Sequence, residues 1–416
     1  MVSIIYLTLP TILTRNLTMF KALKIFILTF CTLALVSFST KAQVGDSILT
    51  GGLNALRVAV PFLTIAPDSR SAGMGDVGAA STPDNNSIHW NPAKLAFIDK
   101  RFGVSYSYTP WLSNLVNDIN LNYLTGFIRI DNEQVVGGSL RYFSMGEITF
   151  TDNTGAPITR HNPNELAVDI AYSRKFANLV SGGIAFRYIR SDLTGKYAQP
   201  GQSSSKAGTA FAADISLYYE QPLHINNQKA EAAFGINISN IGSKLSYNND
   251  PVKDFIPINL RLGGRFSMNI DEYNYFSVLF DANKLLVPTP PIYYEGTDVI
   301  AKGKDPNVSV AQGMLQSFYD APGGAKEEFK EISYACGVEY WYAKQFAIRG
   351  GYFGEDKTKG NRKYFTVGAS LKYNIFTLDF SYLIPSSGQN NPLANTKRFT
   401  LSFDFEKSKK HNGKKK

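Results

Sequence analysis

Catalysis would have to come from few residues. The four histidines, His89, His161, His224 and His411, stand far apart with no cysteine or carboxylate at ligand spacing, so no zinc or iron site is legible. No phosphate-binding glycine loop and no nucleophile elbow occurs, and no cofactor or metal is expected. Ten further charges, Asp169, Arg187, Asp214, Arg261, Arg265, Asp281, Glu339, Arg349, Lys372 and Asp379, are spread over two hundred residues. They share a position in a repeating pattern instead, and that pattern says what they are for.

From Phe102 onward, apolar and small or polar residues alternate: Phe102, Val104, Tyr106 and Tyr108 against Gly103, Ser105, Ser107 and Thr109. This is the period of a strand with one apolar face. It recurs to the end of the chain and predicts 14 strands, at 102–111, 120–130, 134–151, 165–177, 180–192, 208–222, 231–242, 258–270, 274–286, 330–343, 345–355, 363–374, 376–385 and 396–406. Long or polar connections near 112–119, 152–164, 193–207, 243–257, 287–329, 356–362 and 386–395 alternate with tight turns such as Asp131-Asn132-Glu133 and Asn178-Leu179. That parity belongs to an outer-membrane barrel. The expected fold is therefore all-β, a 14-stranded antiparallel transmembrane outer-membrane barrel preceded by a compact, glycine-rich insert. The ten charges fall on the rows opposite the apolar ones, and a lipid-facing Arg or Lys would cost about 2–4 kcal/mol at the midplane. They are expected to point inward as a solvated, mutually paired lining, not a catalytic set.

The remaining segments bound the domains. Residues 1–42 read as a cleaved signal peptide: basic Lys21 and Lys24, an apolar core from Ile25 to Phe38, and Thr40-Lys41-Ala42 before Gln43. Residues 43–101 form the N-terminal segment ahead of the barrel, the one the resemblance below implies to be a plug, 102–406 the barrel and 407–416 a basic disordered tail. Cys336 is alone once Cys31 leaves with the signal, so no disulfide is expected. Of 43 basic residues, removing four in the signal leaves 39 and removing six in the tail leaves 33, against 34 acidic ones. The body is near neutral and gives no sign of nucleic-acid binding. Trp111, Tyr293, Tyr294, Phe318 and Tyr319 fall in loops expected outside, where they would either pack among the loops or anchor a partner.

The stretch from Ile65 to Phe97 matches neither periodicity. Val60-Pro61-Phe62-Leu63-Thr64-Ile65-Ala66-Pro67-Asp68-Ser69-Arg70, then Ala72-Gly73-Met74-Gly75-Asp76-Val77-Gly78, then His89-Trp90-Asn91-Pro92-Ala93-Lys94 resembles the PorV family of the type IX secretion system. That family is similar in turn to the long-chain fatty-acid channels, which share a 14-stranded barrel and an Asn-Pro-Ala plug motif. The resemblance implies a non-enzymatic, multi-pass outer-membrane protein of Bacteroidota-type envelopes. It would accept cargo through a C-terminal β-domain from a giant translocon barrel and pass it to an attachment complex with a sortase-like peptidase. Loop parity places both termini in the periplasm, with the plug entering from the same end as the C-terminus. Gly73, Gly75 and Gly78 would let its backbone pack in a narrow lumen, and Asn91-Pro92-Ala93 would form the hinge into the first strand. A passive channel for fatty acids or other hydrophobic molecules stays open as the alternative. Residues 45–49, GDSIL, resemble the opening block of GDSL-type esterases, but no histidine follows an aspartate by three residues to activate Ser47. Acyl-chain removal from lipopolysaccharide, which has also been linked to this family, finds no nucleophile and base.

Overall fold

The computed structural model describes residues 54–111, 118–152, 154–193, 195, 206–247, 253–386 and 396–406. The expected signal peptide, Ser47 and the basic tail lie outside the described residues. In chain order the strands are β1 (Phe102–Pro110), β2 (Ile119–Arg129), β3 (Gln134–Met145), β4 (Ile148–Thr151), β5 (Pro157–His161), β6 (Asn164–Ala177), β7 (Val180–Asp192), β8 (Gly208–Ile225), β9 (Gln228–Gly242), β10 (Asn259–Asn269), β11 (Asn274–Leu285), β12 (Ile292–Tyr293), β13 (Ile300–Lys302), β14 (Ile332–Tyr342), β15 (Phe346–Gly354), β16 (Lys363–Tyr373), β17 (Phe376–Pro385) and β18 (Lys397–Phe405). Fourteen of them close an antiparallel barrel, β1-β18-β17-β16-β15-β14-β11-β10-β9-β8-β7-β6-β3-β2. Closure pairs every strand on both edges, which lets a sheet cross a bilayer without unsatisfied backbone groups.

Two boundaries differ from expectation. The strand expected over 134–151 stops at Met145, because Gly146 takes φ 80° and Asp118 accepts the Glu147 N–H at 2.9 Å. Residues 148–151 pair instead with 157–161 as a separate hairpin. β8 runs past its expected end to Ile225 and turns through Asn226 and Asn227, both with positive φ, a turn Asn tolerates. On the β7 side its last ladder bond is Glu220 N–H to Leu179 O at 2.9 Å. The next donor on that edge would come from residue 222, which is proline, so the exposed edge is blunted against stray pairing.

One rim carries only short turns and the Lys100–Glu406 ion pair at 2.6 Å; the other carries the long connections. Burial alternates along each strand with the charged or small residue inside. In β6, Glu165, Ala167, Asp169, Ala171 and Ser173 are buried, while Val168 and Ile170 are exposed. All ten charges named above lie on inward rows, with Arg261 and Lys372 half-buried. The outward rows of Leu, Ile, Val and Phe are ringed by aromatics at both rims, among them Tyr273, Tyr342, Phe346 and Tyr373 on the short-turn side and Tyr142, Tyr334 and Phe365 on the other. Those are the girdles of a membrane barrel. Ile170→Arg should therefore destabilise the inserted barrel by about 2–4 kcal/mol, read as a lower urea midpoint in bilayers. An unchanged midpoint would remove Ile170 from the lipid face.

Candidate functional site

Residues 54–101 fold by local capping, since no stretch is long enough for a stable helix. A 3-10 turn spans Pro61–Thr64, and one helical turn covers Ser69–Ala72, whose N-cap Asp68 accepts from Ser71 N at 2.9 Å. A second helical turn, Ser87–Trp90, ends at Asn91, which caps the 3-10 helix Pro92–Phe97 through Ala93 N–H at 3.0 Å. Trp90 Nε1 donates to Asp68 Oδ2 at 2.6 Å, joining the two turns. Lys94, wholly buried, donates to Gly78 O at 2.7 Å and Ser81 Oγ at 2.8 Å. Burying an ammonium is costly without such partners.

Inward-facing side chains around the barrel hold this segment. Asp281 of β11 accepts from Gly78 N at 2.7 Å and Ala79 N at 2.9 Å. Thr366 of β16 accepts from Gly75 N at 2.8 Å, and Thr400 of β18 from Ser69 N at 2.9 Å. Ser216 of β8 accepts from Ala93 N at 3.0 Å, while Ser173 and Ser181 donate to Ala93 O. Arg70 bridges Asp84 and Glu339, each at 2.9 Å, and Glu339 also pairs with Arg349 at 2.8 Å. Arg187 pairs with Asp169 and Asp214, and Arg265 with Glu220 and Glu231. Asp169, Arg187, Asp214, Arg265, Glu339, Arg349 and Asp379 are thus ion-paired as expected, but buried and not solvated, whereas Asp281 serves backbone amides and Arg261 binds the Asn283 side chain and the Trp90 carbonyl.

The three glycines act differently. Gly75 needs its freedom: φ is 75° and a Cβ would lie 2.6 Å from Tyr352 N of β15. Gly78 is packed under the Trp90 ring and Gly73 against Gly368, so both serve close approach and not a turn. Asn91, Pro92 and Ala93 sit at the center of the contacts with β6, β7 and β8. They are an anchor to the wall more than a hinge.

The direction of entry is a correction. Asn54 donates its backbone N–H to Thr358 O at 3.0 Å and its side chain to Glu327 at 2.9 Å, both in connections of the long-loop rim. Residues 54–65 then pass through an apolar mouth cluster with Leu121, Phe143, Ile189, Leu245, Phe255 and Val287, and 92–101 reach the short-turn rim. The described segment therefore enters from the rim opposite Glu406, which follows β18, not from the same one. Loop parity locates strand ends only, and it carries no information about an irregular segment running through the lumen.

At that rim the connection 286–331 is tied down by buried charge. Lys284 donates to Glu328 at 3.0 Å and Glu331 at 2.7 Å, Lys359 to Glu327 at 2.6 Å and Glu331 at 3.0 Å, and Thr289 Oγ1 to Glu331 at 2.6 Å. Against its burial, the Lys359 hydrogen bond helps hold Glu327 below its ordinary range, whereas burial pushes Asp320 up to about 6 despite the Thr289 N–H it accepts. Ser309 caps a helix, Val310–Gln316, within this connection. Of the five expected loop aromatics, Tyr293, Tyr294, Phe318 and Tyr319 are exposed, and Lys304 lies 3.7 Å from the Tyr319 ring. Trp111 instead turns into the mouth cluster and is half-buried, which is packing.

Two cavities flank the inserted segment. One of about 550 Å³ opens beside Lys100, Lys344 and Lys372 at the short-turn rim and is lined by Arg70, Asp84 and Asp379. The other, about 310 Å³, lies between residues 55–64 and the His89–Trp90 pair. Asp76, Lys94 and Trp90 belong to the segment between them, and Arg141, which donates to Leu63 O and His89 Nδ1, fastens that segment to β3. Among the described residues no group of His, Cys, Asp and Glu is arranged to hold a metal. The contacts of Asn54, Asp68, Lys94, Asp281 and Glu331 were not foreseen. Only Lys94, a lysine directly after Asn-Pro-Ala in an otherwise small and apolar run, left a signal in the sequence.

The chain has no match among curated proteins. Among solved structures it aligns with the P. putida toluene transporter TodX (11% identity, TM-score 0.47, covering 86% of this chain and 100% of that one) and the Ralstonia pickettii toluene transporter TbuX (10%, 0.40, 85% and 97%). A Pseudomonas aeruginosa FadL homologue aligns at 10% identity and TM-score 0.37, covering 82% and 98%. Residues 50–292 match the family described as Type IX secretion system protein PorV. That span is more than half of the sequence and includes the inserted segment with its Asn-Pro-Ala anchor, so the chain belongs to the PorV family of outer-membrane barrels.

Proposed function

We propose that this barrel serves type IX secretion as a cargo carrier whose working surface is the long-loop rim, facing outward, while residues 54–101 act as a plug. Cargo would dock through its C-terminal β-domain after leaving the giant translocon barrel and would be handed to the attachment complex with its sortase-like peptidase. The carrying observation is that the connection 286–331 is fixed by the Lys284–Glu331–Lys359 cluster yet leaves Tyr293, Tyr294, Phe318 and Tyr319 exposed. Aromatic anchors on a rigid base suit protein recognition, because little side-chain or loop entropy is lost on binding. Binding at the rim requires no passage through the lumen, which fits a plug hydrogen-bonded to strands all around it.

A passive channel for hydrophobic molecules is the second reading, favoured by Leu56, Val58 and Leu63 along the smaller cavity. Against it, Arg187, Arg261 and Arg362 share that cavity, and the larger one is lined by charged Arg70, Asp84, Lys100 and Asp379. Deleting residues 290–325 is expected to leave the barrel inserted and to abolish surface display of cargo, measured by protease accessibility on whole cells. Normal display would sink the rim-binding reading. Uptake of labelled long-chain fatty acid dependent on this protein would favour the channel. Co-purification from mildly solubilised membranes should recover the translocon barrel or the peptidase.

A further inference from the structure

The outer wall at β14–β16 carries a feature that neither cargo docking nor the plug uses. Register places Tyr334, Gly354 and Lys363 in one row across the three strands, all on the outward face. With strands about 4.8 Å apart, Tyr334 and Lys363 stand roughly 10 Å from each other. Gly354 leaves a notch between them, and the Tyr352 ring closes its lower side, 3.0 Å from where a Cβ on Gly354 would be. The row sits at the long-loop girdle, where Phe280 stacks on Tyr334 at 6.0 Å and Tyr352 meets Phe365 at 5.0 Å.

The short helix Ala325–Lys330 runs into β14 and packs against that strand. Its acidic side, Glu327 and Glu328, faces the buried cluster of the loop base. The opposite side presents Lys326, Phe329 and Lys330, spaced at i, i+3 and i+4 on one face, with Phe329 70% exposed. Lys330, four residues before Tyr334, and Lys363, in the same row as Tyr334, both lie within electrostatic reach of Asp356. Against its burial, the Thr358 amide and hydroxyl and then these two ammonium groups hold that carboxyl below its usual range. Lys357 is exposed beside it. Asp356 offsets part of the charge and Glu355 is already paired with Arg362, which leaves a net positive patch. Among the described residues neither Lys330 nor Lys363 forms an ion pair.

A basic patch with an exposed phenylalanine, on a wall that faces lipid and at girdle height, is complementary to one kind of partner. We propose that Lys330 and Lys363 bind the phosphate of an anionic outer-leaflet lipid, with Phe329 and Tyr334 packed along its backbone and chains. The site sits above the hydrocarbon band, where a lysine keeps its charge solvated while its stem lies on apolar surface. The assignment of this lipid to the outer leaflet rests on the long-loop rim facing outward.

The test is native mass spectrometry of the full chain in detergent with added bisphosphorylated lipid A, dephosphorylated lipid A or phosphatidylcholine. Wild type should retain the bisphosphorylated lipid preferentially. The double variant K330Q/K363Q should hold it about thirtyfold more weakly, the loss two surface lysines carry, with no change for the other two lipids. Heat-modifiable migration on gels establishes that the variant barrel is folded. Equal retention by the variant, equal binding of dephosphorylated lipid, or displacement by millimolar inorganic phosphate would each overturn the proposal. The control K344Q/K372Q removes charge from the short-turn rim. Loss of the adduct there instead would overturn the site, whereas cargo display in the loop deletion tests the outward orientation separately.

Discussion

Replacing Asp281 with alanine should open the lumen that residues 54–101 are proposed to close. The carboxylate is buried and accepts the adjacent N–H groups of Gly78 and Ala79 through one oxygen, at the point where the inserted backbone lies against β10 and β11. Its removal strands two buried donors, each costing about 1–3 kcal/mol, and leaves Arg261 with only the Asn283 side chain and Trp90 carbonyl that it already contacts. The barrel ladder does not depend on these bonds, so the loss falls on the inserted segment. Planar-bilayer recordings should show discrete conductance for Asp281→Ala where wild type is silent. Asp281→Asn, which keeps one acceptor oxygen, should leak less. A silent Asp281→Ala barrel at normal insertion would mean that the segment is held well enough by Thr366, Thr400 and Ser216 alone.

The barrel was legible because alternation is a local property. Val104, Tyr106 and Tyr108 against Ser105, Ser107 and Thr109 decide their faces without reference to anything distant, and tight turns between such runs fix the neighbours. The same logic put Asp169, Arg187 and Asp281 inside but could not say what they meet there. Asp281 was read as part of a solvated lining; its partners are backbone amides, and a backbone partner leaves no trace in residue identity. The inserted glycines suggested close packing, yet the complementary sites are wall glycines such as Gly183, where a Cβ would lie 2.5 Å from Ala93 N, and these read only as small residues on a polar face. Residues 54–65 lack any period, so nothing in the sequence said that they descend from the long-loop rim.

That route matters for how the two ends communicate. Asn54 bonds to the connections bearing Thr358 and Glu327, and nine residues later Leu63 O is held by Arg141 within the lumen, together with His89. The rim that is proposed to meet cargo and the segment that fills the barrel are therefore continuous chain packed into one mouth cluster. A disturbance at the loop base has a short covalent path to the inserted segment, and the cluster of buried charges at that base is where such a disturbance is easiest to make.

Glu331→Ala is the sharpest version of it. Glu331 is buried and receives hydrogen bonds from Lys284, Lys359 and Thr289, so it bridges β11, the 286–331 connection and the loop after β15. Glu327 and Glu328 each retain one of the lysines, but two buried ammonium groups would then share two carboxylates and face an empty space between them. Removing one member of such a network typically costs about 3–5 kcal/mol. The cost should appear locally, because Glu331 precedes β14 and is not part of the barrel ladder. Hydrogen exchange in residues 286–331 should accelerate strongly, with faster proteolysis of the same connection, while amides of the barrel strands keep their protection. Protection near residues 54–59 should fall with it if Asn54 depends on Glu327 being in place. Lys330→Ala, on the exposed side of the same helix, should change exchange little, within about 0.5 kcal/mol. Unchanged exchange in Glu331→Ala would show that the loop is held by its apolar contacts with the mouth cluster, and the rigid docking base would have to be attributed to Phe255, Leu286 and Val287 instead.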